Sequence, residues 1–285
     1  MGCLSCAALA RTRGEVTLRR RESSTIPVEA DSISPDRFQG LSEEEIRRLP
    51  AFYGRRRVTL GDLFEIEGVN PDQIGVEGDL RHVKKIGYGM TRGTLTVRGD
   101  AGPHLGAYMS GGEITVDGSA GDWAGAHMSG GVLNIMEDAA NFLGGAYPGE
   151  TRGMKGGLIV VRGDVGREAG LKMRRGLIAV LGSTADFPGS HMVAGTLMVF
   201  GRLGERPGAG MKRGSIVAFG EVPDLLPSFR YSGAWDPAFL RFYVHYLVKE
   251  GLMLSERKLA GNYRRYVGDF NELGKGEILF HDQRE

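Results

Sequence analysis

Cysteine is nearly missing from this 285-residue sequence: Cys3 and Cys6, close together at the N-terminus, are the only two. Disulfides therefore do not staple the fold, which suits a cytoplasmic protein. No second cysteine pair is present to complete a tetrahedral metal site around them. Proline is sparse at 11 residues, and no every-third-residue glycine period runs through the chain, which excludes collagen. No apolar run reaches the ~18 residues of a transmembrane helix. Met1–Ala10 has no basic start and too short an apolar core for a signal peptide. Neither sign of charge dominates: 36 basic and 35 acidic residues leave a net +1. That balance excludes a generally cationic coat for nucleic acid or a membrane surface. A hydrophobic share of 41% excludes a disordered glycine-rich chain.

What is abundant is glycine, at 46 residues, about twice the usual share of roughly 7%. Its placement is periodic. Met90, Met109, Met128, Met154, Met173, Met192 and Met211 follow one another at spacings of 19, 19, 26, 19, 19 and 19 residues. Three residues after each comes a glycine: Gly93, Gly112, Gly131, Gly157, Gly176, Gly195 and Gly214. Two further on stands Leu95, Ile114, Leu133, Ile159, Ile178, Leu197 or Ile216, and two beyond that Val97, Val116, Ile135, Val161, Val180, Val199 or Ala218. Apolar residues at alternate positions between glycines predict a short strand with one buried face. A unit this short has no room for a helix and cannot bury its face alone, so it must stack on its neighbours. The pattern predicts an all-β fold, a parallel β-helix of about eight coils with a 19-residue repeat and short helical caps. The expected division is an N-terminal extension and cap over 1–57, the β-helix over 58–222 and a C-terminal cap over 223–285 with a helix at 237–250. Ser42 and Glu45 predict a capping box opening a short helix through Leu49. Asp236-Pro237 reads as N-cap and first helical residue, and Gly251 as the stop. Phe64–Gly68 and Ile74–Gly78 read as a weaker entry coil.

No catalytic constellation emerges. His127 and His191 share a repeat position but lie three coils, roughly 14 Å, apart, too far to bind one ion. Asp100, Asp117 and Asp164 read as turn residues. No Ser-His-Asp set and no phosphate loop is present. Two features exceed a purely structural pattern. The outward strand positions are polar at first (Thr94, Thr96, Arg98; Glu113, Thr115, Asp117), then apolar: Leu158 and Val160; Leu177, Ala179 and Leu181; Met198 and Phe200; Val217 and Phe219. Such a face needs a cover, from the C-terminal helix or a partner. The second feature is a gathering of charge just after methionine, at Arg92, Lys155, Arg174, Arg175, Lys212 and Arg213. The long fourth unit carries Tyr147, Pro148-Gly149, Glu150 and Arg152 in a charged loop off one corner. Tyr147, Glu150, Arg152, Lys155, Arg174, Arg175, Lys212 and Arg213, with apolar Leu177, Leu181, Phe200 and Phe219, are the candidate partner surface. No catalytic or metal-binding residue is assigned.

The unit Gly-x-x-Met-x-x-Gly-x-Ile-x-Val-x-Gly resembles the repeat shared by the C subunit of formylmethanofuran dehydrogenase and the C-terminal part of the glutamate synthase large subunit. The stretch Phe142–Gly157 resembles the inserted loop of that C-subunit family. So do Met173–Gly176, Leu226–Tyr231, Ser34–Gly68 and Tyr263–Asp269. The likeness covers roughly residues 30–282. It implies a right-handed β-helix that serves a larger assembly without catalytic residues of its own. In the archaeal version the assembly fixes carbon dioxide with a molybdenum or tungsten pterin in other chains. In the bacterial version a formyltransferase/hydrolase complex passes a formyl group from tetrahydromethanopterin to a methanofuran-type carrier and releases formate. The long helix at 237–250 is more like the bacterial form. The implied partners are an amidohydrolase-like A subunit, a B subunit and a formyltransferase, with no nucleic acid and no membrane. No cofactor is implied in this chain. The competing readings are a glutamate-synthase-like domain and a free-standing β-helix enzyme.

Overall fold

The computed structural model describes residues 14–254 and 261–281; Cys3 and Cys6 lie outside the described residues. The architecture is all-β. One thirteen-stranded sheet dominates, beside a four-stranded sheet and a few short helices. Each repeat gives the large sheet one strand, parallel to the strand of the unit before it. The succession is Asn70–Glu77, Thr94–Arg98, Ser110–Val116, Gly130–Ile135, Lys155–Val161, Arg175–Val180, Thr196–Val199 and Arg213–Ala218.

The register follows the sequence period. Ile74, Leu95, Ile114, Leu133, Ile159, Ile178, Leu197 and Ile216 are successive partners, and Val76, Val97, Val116, Ile135, Val161, Val180, Val199 and Ala218 form the next column. Both columns are buried, as are all seven repeat methionines. Each fully buried aliphatic side chain contributes about 1.5–3 kcal/mol relative to exposure, so every added rung of the columns adds to stability. A one-residue slip would turn every column residue outward.

Neighbouring units also bond on two further stretches. Leu80, Ala101, Ala120, Ala139, Val165 and Thr184 form successive parallel bridges. Gly106, Gly125, Gly144, Gly170, Gly189 and Gly208 each donate an N–H to the preceding unit at 2.8–2.9 Å. Carboxylates join this bonding. Asp100 accepts from the Ser119 N–H at 3.0 Å, Asp138 from Asp164 at 2.7 Å and Asp164 from Ser183 at 2.7 Å. These aspartates are thus engaged with the backbone of the next unit.

The ends differ from the simplest sequence reading. Glu15–Arg20 forms a strand parallel to Asn70–Glu77 and antiparallel to Phe64–Glu67. Phe64–Glu67 is therefore an antiparallel edge strand and no entry coil. Glu15 is nearly inaccessible and pairs with Arg98 at 2.6 Å. At the other end Lys275–His281 lies parallel to Arg213–Ala218 and is covered by antiparallel Tyr263–Gly268 and Arg230–Trp235. The Ser42–Glu45 capping box forms, over Glu43–Arg47. Asp236 does not cap its helix: the helix runs Ala238–Lys249 with Pro237 at the N-cap, and the Asp236 carboxylate pairs with Arg241. Gly251 ends it at φ +87°.

The outward apolar face is covered from within the chain. Leu158, Val160, Leu177, Ala179, Met198, Val217 and Phe219 pack with Leu240, Val244 and Leu247 of the C-terminal helix and with Leu252, Tyr263 and Leu279. Leu181 and Phe200 sit half-buried at the rim, and Phe200 stacks on Phe219 at 4.4 Å.

Candidate functional site: an anchored loop beside a basic column

Two repeat positions turn the chain through left-handed backbone. One holds Lys85, His104, Trp123, Phe142, Glu168, Phe187 and Arg206; the other holds Tyr108, His127, Lys172 and His191, with Gly89 and Gly210 in the first and last units. A side chain in this conformation costs roughly 1–2 kcal/mol relative to glycine. The cost falls on the corners, where it aligns long side chains along one edge. In the middle units those side chains are aromatic. Trp123 stacks on Phe142 at 4.3 Å and Tyr108 on His127 at 4.7 Å.

The seven extra residues of the fourth unit fold onto this edge. The Tyr147 N–H donates to His127 Nε2 at 3.0 Å, and the Tyr147 hydroxyl meets His104 Nδ1 at 2.9 Å. The Tyr147 ring lies 5.1 Å from Trp123 and 5.0 Å from His127. The loop's far side is held by the next unit. Ala146 N–H donates to Leu171 O, Gly153 N–H to Lys172 O, and Lys172 Nζ to Glu150 O at 2.9 Å. The insertion is therefore fastened on both flanks, with Pro148, Gly149, Glu150, Thr151 and Arg152 exposed at its tip.

Burial first, and the nearby Lys155 charge second, lower the His127 pKa; Glu150 opposes them. His104 is lowered by burial and then by Lys84 and Lys85. The Tyr147 hydroxyl is pushed up by burial. A neutral His127 is what its bond requires, because a doubly protonated imidazole has no acceptor nitrogen. The native state thus binds fewer protons than the unfolded one between the lowered His127 pKa and about 6.5. This contribution is complete above about pH 6.5 and fades as pH falls through the lowered value. Thermal melts of the parent should lose stability on acidification across that window. His127→Gln, which keeps an acceptor without a titrating proton, should reduce the loss. Equal pH slopes for the two proteins would remove His127 as the cause.

The basic residues lie on the strand entry beyond this loop. Lys155 is the Cα partner of Arg175, and Arg213 of Lys275. Lys155, Arg175, Lys212, Arg213 and Arg152 are exposed and Arg174 is half-buried. Lys212 reaches Glu272 at 3.7 Å. Among the described residues no carboxylate pairs with Lys155, Arg174, Arg175 or Arg213. The structure therefore brings Tyr147, Glu150, Lys155, Arg174 and Arg175 into one neighbourhood. It continues the cationic line to Lys212 and Arg213, and sets Leu177 and Phe219 apart under the C-terminal helix. The aromatic corner was missed in the sequence. Its signal was Gly89 and Gly210 at the repeat position of Tyr108, His127, Lys172 and His191. Among the described residues, no three His, Cys, Asp or Glu side chains converge as a metal site.

A family model described as the GXGXG motif matches residues 81–226. The C subunit of the tungsten-containing formylmethanofuran dehydrogenase 2 of Methanothermobacter marburgensis is 40% identical over 98 residues, 33% of this chain and 36% of that protein. The C subunit of the molybdenum-containing formylmethanofuran dehydrogenase 1 of Methanothermobacter thermautotrophicus is 47% identical over 83 residues, 28% of this chain and 21% of that one. The matched stretch thus spans about a third or less of these curated relatives. A solved structure extends the likeness. It is a chain of the formyltransferase/hydrolase complex (FhcABCD) from Methylorubrum extorquens, crystallised with methylofuran. It superposes with a TM-score of 0.88 at 38% identity, covering 94% of this chain and 100% of that one. With the repeat matched by the family model and nearly the whole chain by the solved structure, this protein belongs to the family of formylmethanofuran dehydrogenase C subunits, built on the GXGXG repeat.

Proposed function

We propose that the chain is the non-catalytic C subunit of a bacterial formyltransferase/hydrolase complex, which carries formyl groups from tetrahydromethanopterin to formate through a methanofuran-type carrier. The observation that carries this reading is the near end-to-end likeness to a chain of such a complex, at 38% identity. The fold supports a scaffold role. Three bonded stretches per unit favour a right-handed parallel β-helix of about eight coils over 58–222, flanked by caps at 1–57 and 223–285. Such a solenoid offers long, regular edges to neighbouring chains. In this reading the partners are an amidohydrolase-like A subunit, a B subunit and a formyltransferase, in the cytoplasm, and the carrier and pterin belong to them. A second reading is favoured by the molybdenum and tungsten relatives: the C subunit of a formylmethanofuran dehydrogenase. The shorter extent of those matches ranks it second.

Purification of the tagged chain from its native cell distinguishes the two. The expected result is co-elution of three other subunits with formate release from formyl-tetrahydromethanopterin, and no turnover by the purified chain alone. Co-elution of a molybdopterin-bearing redox protein would establish the second reading. A chain recovered without partners would overturn both.

A further inference from the structure

The basic residues form a line with a defined spacing and direction. Lys155 and Arg175 are adjacent rungs of the parallel sheet, and so are Arg213 and Lys275. The rung between these pairs belongs to the unit of Met192, which places Val193 and Ala194 where its neighbours place Arg174-Arg175 and Lys212-Arg213. Rungs ~4.8 Å apart put the five positions from Lys155 to Lys275 along roughly 19 Å. Lys155, Arg175, Arg213 and Lys275 are all exposed. Among the described residues none of them has a carboxylate partner. The two units before the insertion carry Ser110, Gly111, Ser129 and Gly130 at the same positions, and Arg92 of the first unit is paired with Asp72 at 3.7 Å, so the line of unpaired cations begins at the insertion.

Like charges on adjacent rungs repel, and the fold holds them there with Glu272 on Lys212 as the one ion pair among the described residues of the stripe. The chain as a whole is near neutral at +1, so this is a local concentration. We propose that the column Lys155–Arg175–Arg213–Lys275 receives an extended acidic segment of another protein chain, laid along the stacking direction with its start beside the anchored loop. This rests on the reading of the protein as part of a complex, and names the chemistry of the partner it takes. An extended strand shows alternate side chains about every 6.7 Å, so four carboxylates on one edge span about 20 Å, close to the ~19 Å of the column. The long Lys and Arg stems absorb the difference in spacing. Val193 and Ala194 leave a low, uncharged step midway over which a backbone can pass. A line of single charges with no aromatic ring among its rungs fits a polypeptide better than a nucleic acid, whose binders add stacking platforms and a broad basic field.

The test uses the full chain and its Arg175→Glu/Arg213→Glu double variant, with equal thermal melts as the check of folding. A labelled ten-residue peptide alternating glutamate and serine is titrated at low salt, against a glutamine–serine peptide and single-stranded DNA of equal length. The expected result is binding of the acidic peptide alone, weakened about tenfold in the variant, with the difference closing as salt rises. In co-purification from cell extract, the variant should lose partners at a salt concentration at which the parent keeps them. Preference of the parent for DNA over the acidic peptide would overturn the proposal. So would a folded variant that holds its partners as the parent does. In that last case the reading of the chain as part of a complex stands, whereas a parent that recovers no partner sinks that reading itself.

Discussion

Gly112→Val should lower the thermal midpoint sharply, with a loss of about 2–5 kcal/mol. Two independent costs add. Gly112 sits at φ +78°, where a β-branched residue is strained by roughly 1–2 kcal/mol. A Cβ there would also stand 2.7 Å from the Arg92 carbonyl carbon, the Gly93 oxygen and the Met90 methyl. Two of those atoms are backbone of the preceding unit and cannot rotate away, so the units must part, as in other overpacked cores, at a cost of about 1–3 kcal/mol. Gly176, at φ +96° with Met154 and Gly157 at 2.8–2.9 Å, should behave alike. Calorimetry of either variant decides the matter: a melt within a degree or so of the parent would refute the close stacking of units at this corner.

Leu247→Asp should release the C-terminal helix. Leu247 has no exposed surface and lies against the apolar outer face of the later units. Losing its side chain costs about 2–5 kcal/mol, and a carboxylate buried without a partner adds to it. The helix makes few other commitments, so the damage should be local. Leu158, Val160, Leu177, Met198 and Val217 would then face water and drive association. The expected signs are dye binding, early proteolysis near the helix and concentration-dependent aggregation, with the inner columns still protected in hydrogen exchange. Phe242→Asp, on the exposed side of the same helix at 78% accessibility, should change none of these. If both variants remained monomeric and protease-resistant, the helix would not be the cover of that face.

The inner columns were legible because the repeat reports the same environment seven times. Met, Gly, Ile or Leu, and Val recur at fixed offsets only if each meets its own kind in the next unit. The apolar outer face was equally plain, though its cover was not. That depended on Leu240, Val244 and Leu247 reaching back across the sheet, a long-range choice that a helical period alone leaves open. The strands Glu15–Arg20 and Lys275–His281 carry no repeat, and their partners are set by tertiary packing. Asp236-Pro237 looked like a helix start, yet the Arg241 guanidinium outcompetes the backbone for the carboxylate. The aromatic corner was obscured for another reason. Left-handed backbone is normally advertised by glycine, and here Lys, His, Trp, Phe and Tyr occupy it, supported by stacking on the next unit. The basic line was visible as composition, but which cations share adjacent rungs came only from the register.

The strand that closes the array comes from far downstream: the Ser215 hydroxyl donates to the Glu277 carboxylate, 62 residues later. During synthesis the edge of Arg213–Ala218 therefore emerges with nothing to pair with. At about 5–20 residues per second, those residues take roughly 3–12 s to appear. The N-terminal edge meets no such delay, because Glu15–Arg20 is waiting when Phe64–Glu77 arrives. Assembly is thus sealed at its beginning and open at its growing end for seconds. In that interval an unpaired parallel edge is a template for a neighbouring nascent chain. Selection for yield in the cell should fall hardest on Lys275–His281, whose removal should cost far more soluble protein than loss of the residues before Glu15.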